Sequence, residues 1–485
     1  MSITSALSSA NSGLTAFSKA AQLVSDNVSN ALTEGYARRE LELSTRVVGG
    51  SGAGVQVDGV KRIVDQGLLR DRRLADAELG YQSGRTGFLQ TSLDLIGVPD
   101  DPASLSGQLV AFESALLDAG SRPDSDTRLA EIVRTGNNLT NKLNEATRAV
   151  QAERLAADNA IAREIDILNA NLKQVEEMNA EITRFNGSGQ DTSGLVEARQ
   201  LVIDDIAAMV PVRVVPRESG TVAIYTMNGA TLIDGPAQQF EFSPVSTITA
   251  DMTLASGALS PLIQNGDPVA TTGQFPPMGG GSLAALFEVR DDLAVLAQAR
   301  LDAFSRDLME RFEDPAVDPT TAAGALGLFT DNGVVFDALD EVGLAGRVEL
   351  NAVVDPARGG DLTLIRDGLG ATVPGPVGFA GQIYAFADAL SSNRAPAGNQ
   401  ITSAERSATA LSADLASRAA SDLVDAERSE SFASTRQTSL RDLELEGGVD
   451  TDQEMQKLLL IEQAYAANAR VIQTIDDLIQ RLLAI

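Results

Sequence analysis

The chain has 485 residues, and its 38 Lys and Arg against 67 Asp and Glu give a formal net charge of −29; it contains no Cys, His or Trp. Without Cys or His there is no disulfide, thiolate or imidazole metal site, or Ser-His-Asp triad, which leaves paired carboxylates, a tuned Lys or carboxylate-bound Mg²⁺ or Ca²⁺ as catalytic options. The acidity opposes binding to nucleic acid or anionic lipid, and no run of 18 apolar residues is present for membrane insertion.

The first residues, Met1-Ser2-Ile3-Thr4-Ser5, lack a basic stretch followed by an apolar one, so no cleaved secretory signal is expected. Residues 3–32 predict a helix. Leu7, Ala10, Leu14, Phe17, Ala21, Val24, Val28 and Ala31 fall three and four apart, the 3.5-residue repeat of a coiled-coil seam. That helix is expected to stop near Asn30, with Gly35 free to take a left-handed capping position. Residues 41–64 alternate like strands around a Gly49–Gly54 hinge. Helices are predicted over 65–96, 103–120, 125–186 and 192–209. Within the third, Leu139, Leu143, Ala146 and Val150 form one seam, and Ile161, Ile165, Leu168, Leu172, Val175 and Ile182 continue on a slightly shifted one. Residues 211–280, rich in Val, Thr, Gly and Pro, predict a small β-rich insertion. A helix over 282–313, mixed turns over 314–380, and helices over 381–393 and 400–446 follow. The last segment repeats the period of the first, with Leu458, Ile461, Tyr465, Asn468, Ile472, Ile475, Ile479 and Leu482 on one seam. Asn468 is its single polar member, a device that can fix register. Thr451 or Asp452 is the expected N-cap, after the Gly447-Gly448 break.

The fold class implied is mainly α with a smaller β-rich inserted domain, a long-helix bundle body, and terminal helices that pair as a coiled coil. The nested division is 1–40 with 447–485, 41–210 with 281–446, and 211–280. Seams at both ends cannot be buried by one helix alone, so they are expected to pack together, against neighbouring subunits, or both.

The candidate acids are Asp100-Asp101, Asp124 with Asp126, Asp204-Asp205, Asp291-Asp292 and Asp476-Asp477. Catalytic carboxylates need environments that push their pKa values apart. These pairs fall mostly in helices or at helix starts, where Asp caps or faces water. None matches a calcium-binding loop, and the Gly49–Gly54 run lacks the Lys-Ser/Thr of a phosphate loop. No catalytic residue, cofactor or metal is expected. Asn27, Ser29 and Asn30 crowd the last turn of the first helix, where such residues favour leaving it.

The stretch from Leu14 through Asn27-Val28-Ser29-Asn30 to Thr33-Glu34-Gly35-Tyr36-Ala37-Arg38 resembles the N-terminal motif of the axial rod–hook–filament proteins of the bacterial flagellum. Gly448-Val449-Asp450, Glu454, Gln463-Ala464-Tyr465 and the run Ala467 to Thr474 resemble their C-terminal motif. Gly35-Tyr36 with Arg38 is most similar to the hook–filament junction family. So are the run Gly54 to Arg62 with Asp65, Leu69 and Arg70, the run Glu197 to Leu201 with Asp204, and the run Gly280 to Leu283 with Leu286, Phe287, Arg290 and Asp291.

The resemblance implies a structural protein exported without a cleaved signal to the extracellular flagellum, where copies assemble in a ring through their terminal helices. Leu7, Leu14, Phe17, Val24, Asn27, Val28, Asn30, Gly35, Tyr36 and Arg38 would serve that assembly with the C-terminal seam. The implied partners are hook protein, hook-associated protein 3 and an export chaperone on the C-terminal helix, with no membrane insertion. Two alternatives stay open: another axial protein (hook protein or hook-associated protein 3), or a carboxylate-dependent hydrolase on a helical scaffold.

Overall fold

The computed structural model describes residues 3–33, 35–48, 51–188, 190–398 and 400–484. Helix α1 (Ile3–Ser29) is followed by an antiparallel hairpin of β1 (Arg39–Val48) and β2 (Ser51–Arg62). Gly49 and Gly50 of the expected hinge lie outside the described residues, and Gly52 and Gly54 belong to β2. Gly54 has φ +104, and a Cβ there would run into the Ser12 hydroxyl of α1. That hydroxyl accepts a hydrogen bond from the Val55 N–H at 3.1 Å, so the hairpin lies directly on α1.

The body starts with α2 (Gln66–Ile96), capped by Asp65, and α3 (Leu105–Ser121), capped by Ser104. Helix α4 (Asp126–Gly187) has 62 residues, about 93 Å at the usual helical rise. Leu139, Leu143, Ala146 and Val150 sit in one hydrophobic core, and Ile161, Ile165, Leu168, Leu172 and Val175 in another. The shift in seam between Val150 and Ile161 therefore marks where α4 leaves one core and enters the next.

The second core is completed by α5 (Ser193–Met209) and by two small antiparallel sheets. These are β3 (Val212–Pro216), β4 (Val222–Thr226) and β5 (Thr231–Ile233), then β6 (Phe240–Glu241), β7 (Leu262–Gln264) and β8 (Asp267–Val269). The apolar residues of the sheets are continuous with those of α4 and α5.

The helix predicted over 282–313 is interrupted. It runs as α6 (Gly281–Glu288), a π turn (Val289–Leu293) and α7 (Ala294–Phe312). In the wide turn the Ala294 N–H reaches back to the Val289 carbonyl. The Arg290 carbonyl accepts instead from Nε of buried Arg154, at 2.9 Å. The Arg290 guanidinium is fully buried between Asp158 and Asp291, both at 2.8 Å, and stacks on Phe242 and Phe287. No apolar periodicity signals such an interruption.

Next come β9 (Phe329–Asp331), β10 (Val348–Leu350), α8 (Thr363–Asp367) and α9 (Gly381–Ser391). Helix α10 (Ala408–Glu446) starts at 408 rather than the expected 400. The chain before it is held extended by a bridge between Arg394 and Arg406, and Ser407 caps the helix. Helix α11 (Thr451–Leu483) is capped by neither Thr451 nor Asp452. Asp450 is extended, and its carboxylate accepts from the N–H groups of Asp452 and Gln453 at 2.9 and 3.0 Å. The fold is mainly α with small sheets. Among the described residues, no helix is long and apolar enough to cross a membrane.

Candidate functional site

Helices α1 and α11 lie antiparallel against each other. Two contacts fix the direction: Asn27 meets Glu454, and Gly13 meets Asn468. Moving 14 residues back along α1 and 14 forward along α11 leads from the first contact to the second.

Asn27 has no exposed surface, and its amide makes all four hydrogen bonds available to it. Nδ2 donates to the Arg39 carbonyl and to Glu454 Oε2, each at 2.9 Å. Oδ1 accepts from the Tyr36 hydroxyl at 2.8 Å and from the Arg39 N–H at 3.0 Å. One side chain thus ties the end of α1 to the turn after it, the start of β1 and the start of α11. Glu454 is 1% exposed, and its second oxygen accepts from Lys457 Nζ at 2.9 Å. Burial raises the Tyr36 pKa, against the lowering effect of the Arg39 guanidinium 5.0 Å over its ring. Asn30 closes the turn itself: Nδ2 donates to the Asp26 carbonyl, and Oδ1 accepts from Thr33. The crowding of Asn27 and Asn30 at the helix end now has a physical reason, because both use their amides to turn the chain.

Gly35 is not the helix cap. Helix α1 ends at Ser29, and Gly35 lies in a later turn with φ +76, where a Cβ would stand 2.6 Å from Leu201 of α5. Arg38 pairs at 3.1 Å with Glu40 on β1. Glu197 of α5 receives Arg39 at 2.5 Å and Arg62 at 3.3 Å, which pins both strands of the hairpin to the body. Beside it, Arg72 contacts Asp76, Asp204 and Glu444, and Arg73 shares Asp204. A cavity of about 500 Å³ lies at this joint, between the 31–38 turn, the start of α2, α5 and the end of α10.

On α1 the buried residues are Ala10, Gly13, Ala16, Val24 and Asn27. Leu14, Phe17 and Val28 are half-buried and Leu7 is 38% exposed. The closest face therefore follows the small residues rather than the largest apolar ones. On α11, Ile475 is buried, Leu458, Ile461, Asn468, Ile472 and Ile479 are half-buried, and Tyr465 is 45% exposed. The Leu482 side chain lies outside the described residues. Met455, Leu459, Leu460, Val471 and Leu478 are all exposed on α11. Sequence reasoning placed Glu454 within the C-terminal motif without a role. The available signal was its seven-residue step to Ile461, Asn468 and Ile475.

Several of the candidate acids have partners of their own. Asp101 accepts from the Ala103 N–H, Asp204 pairs with Arg72 and Arg73, and Asp291 pairs with Arg290. Among the described residues, no group of three or more acids is placed to hold a metal ion.

Residues 95–328 match the family model of the flagellar hook-associated protein FlgK helical domain, and residues 446–485 match that of the flagellar basal body rod FlgEFG protein C-terminal region. The chain is 22% identical to flagellar hook-associated protein 1 of Bacillus subtilis, over 98% of this chain and 97% of that one. It is 27% identical to flagellar hook-associated protein 1 of Salmonella typhimurium, over 62% of this chain and 56% of the relative. The solved flagellar hook junction protein FlgK from Burkholderia pseudomallei aligns with a TM-score of 0.44 and 16% identity, over 54% of this chain and 47% of that one. The two family models, one for a helical domain and one for the C-terminal helix, define the class as an axial protein of the bacterial flagellum. Within it, the chain is similar to flagellar hook-associated protein 1 over nearly its whole length.

Proposed function

We propose that this protein is a structural part of the flagellum that joins hook to filament, assembling through its terminal helices. The observation that carries this reading is the unequal use of α11. One face meets α1 through Asn468 and Glu454, while Met455, Leu459, Leu460, Val471 and Leu478 stay exposed. Leu460, Val471 and Leu478 share one line of the helix, and apolar side chains left open on a helix already paired mark an association surface. Copies of the same chain in a ring are its first partners, with hook protein on one side and hook-associated protein 3 on the other. Before export, a chaperone covers α11.

The terminal helices and the 39–62 hairpin act as one packing unit. Asn27, Tyr36 and Arg39 shape it, and Glu197 sets its attitude to the body. We read the protein as having no catalytic activity; Asp204 and Asp291, of the carboxylates singled out from the sequence, are held in ion pairs with arginines. Truncation of residues 455–485 tests the proposal: filaments should detach from hooks while the body domain still folds. Filaments that remain attached to hooks in that mutant overturn it.

A further inference from the structure

An apolar stripe that repeats every seven residues holds two helices together without fixing where one starts against the other. The stripes of α1 and α11 have this weakness. At seven-residue steps α1 carries Ala6, Gly13, Ala20 and Asn27, and α11 carries Glu454, Ile461, Asn468 and Ile475. Sliding α11 by seven residues keeps the same faces together. In one direction it brings Glu454 to Ala20 and Asn468 to Ala6. In the other it brings Asn468 to Ala20 and carries Glu454 beyond the end of α1.

Both slips meet the same two obstacles. Asn468 always faces an alanine in place of Gly13. Even at Gly13 a Cβ would stand only 3.1 Å from the Asn468 amide oxygen, and that amide is held by its own bond to the Ala464 carbonyl. Glu454 always loses Asn27, and Asn27 loses the acceptor for one of its two N–H groups. Buried polar groups without partners are disfavoured far more than a shifted Ala or Leu contact.

We propose that Glu454 and Asn468 are positioning residues that set the register of α11 on α1, with Asn27 and Gly13 as their receivers. Two contacts 14 residues apart leave one alignment in which both are satisfied. The proposal concerns pairing within one chain and does not depend on what the chain assembles with.

The natural chain has no Cys, so introduced cysteines report register without background. Ala464→Cys with Phe17→Cys joins positions that face each other in the observed alignment. Ala464→Cys with Val24→Cys joins positions that meet only after a seven-residue slip. In the otherwise unchanged full-length chain the first pair should oxidise and the second should not, by a ratio of at least about tenfold. Adding Gly13→Ala, Asn27→Leu and Glu454→Leu should make the 24–464 disulfide appear at the expense of 17–464. An unchanged 17–464 disulfide in that variant overturns the proposal, since the short 447–450 connection or the apolar seam would then suffice. Loss of both disulfides also overturns it, because the polar contacts would be supplying the pairing itself. Asn27→Asp provides the milder check. It sets two carboxylates together and should weaken the 17–464 disulfide, and Glu454→Gln should restore it; no restoration counts against the assignment.

Discussion

In the body, Phe312 packs against Phe112, Phe329 and Phe386 with ring centroids 6.5, 5.3 and 5.7 Å apart, and all four rings are buried. At the chain ends, α1 buries Ala10, Gly13 and Ala16, and its most connected residue is an amide. The body is specified by shape, because large rings in close packing have few alternative arrangements. The ends have small contacts at a repeating step, which leave alternatives open, and hydrogen bonds between distant residues remove them. The ends also bury less of their apolar surface, and α11 keeps Met455, Leu459, Leu460, Val471 and Leu478 exposed.

The contrast can be broken most severely in the body. Phe312→Ala should destabilise it by about 3–5 kcal/mol, read as a large fall in the denaturant midpoint. Leu7→Ala, at an exposed seam position, should change stability by less than about 0.5 kcal/mol. A similar loss after both changes would erase the distinction.

Burial raises the Asp302 carboxyl to about 6, although it accepts from the Gly343 and Ala345 N–H groups and from Gln298. Its folded pKa lies above the unfolded value of 3.8, so the folded state holds the proton more tightly. The stability this gives is complete below about pH 4 and is lost as pH rises through 6, by at most about 3 kcal/mol. Asp302→Asn should flatten that part of the stability–pH curve; an unaltered slope contradicts the assignment.

At the ends, Asn27→Ala should cost about 1–3 kcal/mol by leaving Glu454 and the Arg39 carbonyl short of a donor. Hydrogen exchange should quicken across residues 5–30 while α4 stays protected. Equal loss of protection in α4 would show that the two regions are not separate. A smaller loss than at Asn27 is expected at the joint. Glu197→Gln should loosen the hairpin from α5 by about 1 kcal/mol, with a response to salt that the parent chain shows more strongly. Salt responses that are indistinguishable would remove the ion pairs from the account.

Much of this contrast could be read before the structure. The helical periods located nearly every long helix, and the change of seam within α4 already contained the passage between two cores. The terminal seams announced that both ends need a partner. The Asn27 hub was hidden, because its partners Tyr36, Arg39 and Glu454 are 9, 12 and 427 residues away, and no local pattern encodes the last of these. The π turn at Val289–Leu293 escaped for a related reason, since it exists to free a carbonyl for Arg154 on another helix. The cap of α11 was displaced by one residue because Thr451, Asp452 and Asp450 are all competent caps, and only the extended backbone at Asp450 decides among them. Tyr465 fits the apolar repeat but stands exposed, because the repeat marks a face without saying which of its members lies nearest the partner helix.

The central proposal is that the chain ends form the packing unit of a flagellar junction. A reconstruction of assembled hook and filament, resolved well enough to trace helices, tests this most directly. It should place this chain between the two, with Asn27 beside Glu454, Gly13 beside Asn468, and the Leu459, Leu460 and Val471 face of α11 against a neighbouring copy. Density in which α1 and α11 lie apart, or in which that face of α11 meets only solvent, would contradict it.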